Sequence, residues 1–185
     1  TTEIYTLSLH DALPILLPFY LHDMQGLAPG AMGLALAVLP LAMAVSAPVS
    51  GYLSERMNFA TLTSAGLFIM GCGLAQLALC APDSALWRVY LGQATVGLGA
   101  GVFMSPNNNS VLSSAPMDKL GLVGGVLALV RNVGMVCGIA VAITVFEGCQ
   151  GRSMAAGADA QTAFMAGFRA ALFTGAMLEI GRAHV

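Results

Sequence analysis

Residues 31–54, 57–82 and 89–117 contain no charged side chain at all. Each run is longer than the roughly 20 residues that carry a helix across a hydrocarbon core about 30 Å thick. Inside lipid every backbone polar group must be satisfied within the structure, which makes helix the form open to runs of this length. Of the 185 residues, 57% are apolar and 9% charged, whereas an ordinary soluble domain carries roughly a quarter charged residues. Too little polar surface remains to cover a water-soluble globule. The chain reads as an all-α, polytopic membrane helix bundle, with the lipid bilayer as its first partner. A net charge of −2 with scattered basic residues offers no electrostatic footprint for nucleic acid.

Both chain ends look foreign. TTEIYTLSLHDALPI, residues 1–15, resembles one reading frame of a common short-read sequencing adapter, and IGRAHV, residues 180–185, resembles a frame of its partner. Such segments are set aside before fold reasoning. Residues 1–15 and 179–185 are therefore excluded, and 16–178 are read as an internal piece of a longer protein. On that reading His10, Asp11 and His184 have no functional role.

Between those ends the pattern predicts a partial span at 16–22, full spans at about 31–53, 60–81, 87–113 and 121–146, and a partial span at 162–178. HDMQGLAPG, SERMNF, APDSALWR and SSAPMDKLG supply the turns, and a Gly- and Ala-rich loop is expected over 147–161. Pro40 and Pro48 should bend the first full span. Trp87 stands where interfacial aromatics anchor a helix end. Six spans divide into three plus three, which fits half of a transporter built from inverted repeats.

Arg131 lies about 15 Å into its helix at 1.5 Å per residue, close to mid-bilayer, where an arginine costs about 2.5–3.5 kcal/mol on insertion scales. At 100° per residue its own face carries Gly124, Leu127, Ala128, Gly134, Met135, Gly138, Ala142 and Val145. The opposite face carries Val126, Leu129, Val133, Val136, Ala140 and Thr144. The first face favours close helix approach, with a GxxxG at Gly134 and Gly138, and the second suits lipid. Arg131 should therefore point into protein. It either pins helices together or borders a transport pathway.

The preceding helix supplies candidate company. Ser105-Pro106-Asn107-Asn108-Asn109-Ser110 gathers amides and hydroxyls around a proline that frees a backbone carbonyl. Asn107, Asn108 and Gln93 are candidates for lining or bracing the pathway with Arg131, unless the asparagines simply mark a helix end. Gly97 and Gly101 form another GxxxG, so Gly97, Gly101, Gly124, Gly134 and Gly138 are the packing candidates. No lysine or strand accompanies the glycines, which removes the phosphate-cradling reading. Cys72, Cys80, Cys137 and Cys149 show no zinc spacing and read as small buried hydrophobes. Nucleophilic and metal chemistry lack parts, so neither an enzyme nor a metal or other cofactor is expected.

LPFYLHDMQGLAPGAMGLALAVLPLAMAVSAPVSGYLSER, GVFMSPNNNSVLSSAP and GLVGGVLALVRNVGMVCGIA resemble successive segments of the C-terminal half of fourteen-span major facilitator superfamily drug:proton antiporters. The most specific parts are SPNN and the G-x-x-G-G…R-N-x-G-x-x-x-G run. The resemblance implies proton-coupled multidrug efflux of hydrophobic or cationic small molecules from the cell inner membrane. It also implies that the fragment needs the N-terminal half of the same protein, since no carboxylate falls within a complete span. Gly51, Glu55 and Arg56 match the superfamily's cytoplasmic gating turn, although Asn58, Phe59 and Ala60 depart from it. The alternative is a membrane-embedded structural or assembly subunit without transport activity.

Overall fold

The computed structural model describes residues 12–183, and the expectations for His10, Asp11 and His184 lie outside them. Helix α1 spans Leu13–Phe19 and passes into a π-helical turn, Tyr20–Met24. Then follow α2 (Pro29–Leu36), α3 (Val38–Ser54), α4 (Phe59–Ala78), α5 (Leu86–Ser113), α6 (Leu120–Ala155) and α7 (Ala160–Arg182). No strand occurs among the described residues. Four stretches are long and apolar enough to cross a membrane: Pro29–Ser54, Phe59–Ala78, Met117–Ala155 and Ala160–Arg182. Helix α5, expected as a full span over 87–113, has the length at 28 residues but not the apolar composition, since Arg88, Gln93 and the SPNNNS run all fall inside it.

Several boundaries differ from the sequence reading. The first long span breaks at Ala37, between α2 and α3, three residues before Pro40. Pro40 has no N–H to give the carbonyl of Leu36, so the helix yields one turn upstream. Helix α6 continues to Ala155, where a loop was expected over 147–161. Its Glu, Gln, Arg, Met and Ala residues are good helix formers, and they outweigh two glycines once the preceding turns are formed. What stops it is Gly157, at φ 87°. The Gly157 and Ala158 N–H groups donate back to Met154 O at 2.9 Å and Ser153 O at 3.1 Å, the paired bonds of a Schellman cap. Asp159 then caps α7 by accepting from the Thr162 N–H at 3.5 Å. Helix α7 runs on through residue 182, past the expected end at 178.

Helix α5 is the centre of the bundle, packed on α3 and α4, while α7 packs on α4 and α6. Tyr20 stacks on Phe168 with centroids 5.1 Å apart, tying the end of α1 to α7. Leu13, within the segment set aside as foreign, is helical and fully buried; an apolar turn next to Leu16 and Leu17 extends the same core face whatever its origin.

The cysteines do not share one environment. All four are free; Cys80 is buried, Cys72 and Cys149 are half-buried, and Cys137 is exposed. Cys137 lies on the outer face of α6 beside Val133 and Val136, which overrides the expectation of burial.

Candidate functional site: the α3–α5 seam

The seam between α3 and α5 is built from small residues. A Cβ at Gly97 would meet the Leu39 carbonyl oxygen and lie 2.9 Å from Ala42 Cβ; one at Gly101 would lie 2.8 Å from Met43 O and clash with Ser46 Oγ. Backbones this close gain dispersion contact that larger side chains would prevent. Ser46 Oγ donates to Met43 O at 3.2 Å and, weakly, to Gly97 O at 3.5 Å.

Pro106 sits inside α5 and leaves the carbonyl four residues earlier, Val102, without its helical donor. Ser50 of α3 fills the gap, its Oγ donating to Val102 O at 2.8 Å. Sequence reasoning identified the freed carbonyl and missed its donor. The signal was available: a serine in the partner helix, one residue before Gly51.

Three amides on α5 were candidates. Gln93 and Asn107 are almost wholly buried, at 1% and 0% exposure, and none of their four side-chain amide atoms has a hydrogen-bond partner. Asn108 is half-buried. Fourteen residues separate Gln93 from Asn107, which places them on one face of α5 about 21 Å apart. A cavity of about 280 Å³ opens beside Gln93, walled by Leu17, Leu36, Leu39 and Pro40 and, from the segment set aside as foreign, Leu13 and Pro14. Burying an amide without a partner costs about 1–3 kcal/mol, so each of these positions holds a polar group at an energetic cost to the bundle.

Arg131 is not brought to them. It is exposed on α6, and neither it nor Asn108 makes a side-chain hydrogen bond or ion pair among the described residues. The expectation that glycine-lined neighbours shield it is met only below its level: Gly134, Gly138 and Ala142 are buried, and Val126, Leu129, Val133 and Val136 are 52–63% exposed. Among the described helices α6 packs mainly on α7, where Gly134, Gly138 and Ala142 are buried, and barely touches α5. Nothing stands within 4 Å of where a Gly124 Cβ would be, so it packs no helix among the described residues.

At the other candidate position, Glu55 and Arg56 are exposed in the turn between α3 and α4. Arg56 lies over the Tyr52 ring at 4.5 Å, and Asn58 Oδ1 caps α4 by accepting from the Ala60 N–H at 3.1 Å. The residue that departs from the gating-turn pattern thus serves as an N-cap. Gly51 stands opposite Ser105, at 3.4 Å from Cβ position to Oγ.

The sequence reading also missed Glu179, which it set aside with the C-terminal segment; in α7 it is buried, at 2% exposure.

Long apolar helices, a seam of small residues and uncharged buried amides define a multi-pass membrane protein of the transporter kind. Residues 4–139 match the Major Facilitator Superfamily, and the chain belongs to that family, whose members are transporters and not enzymes. It is 37% identical over 129 residues to the riboflavin transporter RibZ of Clostridioides difficile, covering 70% of this chain and 28% of that protein. It is 39% identical over 125 residues to the uncharacterized transporter YebQ of Escherichia coli, covering 68% and 27%. A tetracycline resistance determinant of Streptomyces rimosus is 30% identical over 130 residues, covering 70% and 38%. The chain thus spans between about a quarter and two fifths of each of these relatives.

Proposed function

We propose that this chain is part of the C-terminal half of a proton-coupled exporter of the fourteen-span type, resident in the inner membrane, with 1–15 and 179–185 foreign to it. The chain alone does not transport; it requires the N-terminal half. Arg131, Asn107, Asn108 and Gln93 line or brace the pathway, Gly97, Gly101, Gly134 and Gly138 hold the helices close, and Glu55 and Arg56, with Gly51 in the last turn of α3, make up the cytoplasmic gating turn.

The observation that carries this reading is the pair of buried, unpartnered amides on α5, one of them opening on a cavity. A purely structural helix bundle gains nothing from such groups, whereas a pathway for amphipathic solutes needs neutral hydrogen-bonding sites in an apolar wall. Relatives named for riboflavin transport and tetracycline resistance support polar, multi-ring solutes as substrates beside the hydrophobic cations implied by resemblance. The test is accumulation of a fluorescent drug in cells expressing the full-length protein, with and without a protonophore. Protonophore-sensitive exclusion is expected; unchanged accumulation across a broad drug panel would reject the exporter reading.

A further inference from the structure

The end of the bundle opposite the Glu55–Arg56 turn carries a cleft of about 270 Å³ between the last turn of α4 and the first turn of α5. Arg88 and Trp87 form one wall, with Gln76 and Leu79 on the other. Arg88 is exposed; its guanidinium lies 5.9 Å from the Trp87 ring centroid, and among the described residues it makes no hydrogen bond or ion pair. Trp87 itself is 61% exposed. Below this cationic mouth the groove is uncharged: Leu79 and Leu91 are 69% and 53% exposed, Gln76 stands beside them, and Phe68 and Leu98 are exposed on the same faces of the two helices.

We propose that this cleft binds a phospholipid of net negative charge, its phosphate on Arg88 and one acyl chain along Leu79 and Leu91. Three features select that occupant. A guanidinium with no carboxylate in contact favours a phosphate oxygen, which it can meet with two parallel hydrogen bonds. An exposed tryptophan beside it fits headgroup depth, where an amphipathic ring is at home. The uncharged rail below the arginine would repel a hydrated free anion and suits a hydrocarbon tail. A zwitterionic lipid is the poorer ligand, since its own ammonium competes with Arg88 for the phosphate.

The experiment uses the full-length protein in phosphatidylcholine nanodiscs titrated with phosphatidylglycerol, with retained lipid read by native mass spectrometry. Wild type is expected to retain phosphatidylglycerol selectively, and Arg88→Ala to weaken that retention about fivefold, the factor one cation contributes near an anionic surface. Arg88→Lys should keep part of it, because the charge stays and the bidentate geometry goes. Arg152→Ala, at an exposed arginine on the protruding end of α6, serves as the control and should change nothing. Equal retention in Arg88→Ala and wild type would overturn the site. An equal loss in Arg152→Ala would overturn it too, by showing diffuse attraction, as would displacement of the lipid by inorganic phosphate.

Discussion

Ser50 and Pro106 are separable at single-atom resolution. The Val102 carbonyl lies in the half-buried seam between α3 and α5, and one hydroxyl satisfies it at 2.8 Å. Removing that hydroxyl leaves a half-buried acceptor orphaned, at a cost of about 1 kcal/mol, the low end for such a group. Ser50→Ala should therefore lower the thermal midpoint of the purified full-length protein. Combining it with Pro106→Ala should recover much of the loss, because an alanine in place of the proline restores the helical N–H. A double variant no more stable than the single one would mean the contact carries no such role. Arg131 calls for a different readout. As a pathway group, Arg131→Ala should abolish drug resistance with membrane expression intact, and Arg131→Lys should fail as well, since an ammonium cannot reproduce the planar fork. Loss of expression in Arg131→Ala would assign it to assembly alone.

At the scale of elements, the sequence was informative wherever one chemical term dominated. Runs without charge gave the helices, and the spacing of Gly97 and Gly101 gave a close approach that the structure places against α3. It was less informative where two terms compete. Glycines at 148 and 151 suggested a loop, yet good helix formers around them carried α6 to Ala155. Arg131 was misplaced for another reason. Gly134, Gly138 and Ala142 on its face are buried, while Gly124, Leu127 and Ala128 are only partly covered, and cover at that level depends on the paths of other helices, which spacing along α6 does not encode. The orphaned state of Gln93 and Asn107 was not legible either, since it depends on which atoms of α3 and α4 fail to reach them. Two outcomes follow for the elements. Gly101→Leu should separate α3 from α5, because the added side chain would meet Ser46, Met43 and Ala47; the expected result is loss of folded protein in detergent, with Gly124→Leu, where there is open space, as the tolerated control. Asp159 gives α7 a pH dependence. The Thr162 hydroxyl, followed by backbone N–H groups, holds its carboxyl below the ordinary 3.8. A depressed acid stabilises the fold above its unfolded value and loses that contribution as pH falls through its folded value. The protection of the Thr162 amide, its exchange rate taken relative to the intrinsic rate at each pH, should be constant from neutrality to about pH 4 and should fall below it, whereas in Asp159→Asn the step should vanish.

For the whole molecule, the distribution of cover is uneven in a way that bears on transport. Helices α4 and α7 are about half buried within the chain, 50% and 56% over their apolar windows, against 11% for Pro29–Ser54 and 17% for Met117–Ala155. The poorly covered pair carries Arg131, the α3 side of the Ser50 contact and the exposed stripe Leu41, Val45 and Val49. A helix apolar on its outer face is content in lipid; a helix that also bears an uncovered arginine at depth is not. On the proposed reading the N-terminal half meets α6 at the level of Arg131, and in a carrier that works by rocking two halves about a central site, that surface moves during the cycle. A chain limited to residues 16–178 should then insert into membranes, give no drug resistance, and leave a cysteine placed at Arg131 open to a water-soluble maleimide. In the full-length protein the same cysteine should react at a rate that changes with bound drug. Efflux by the short chain alone, or labelling that is identical in both contexts, would show that the face of α6 needs no partner and that the division of labour between halves is wrong.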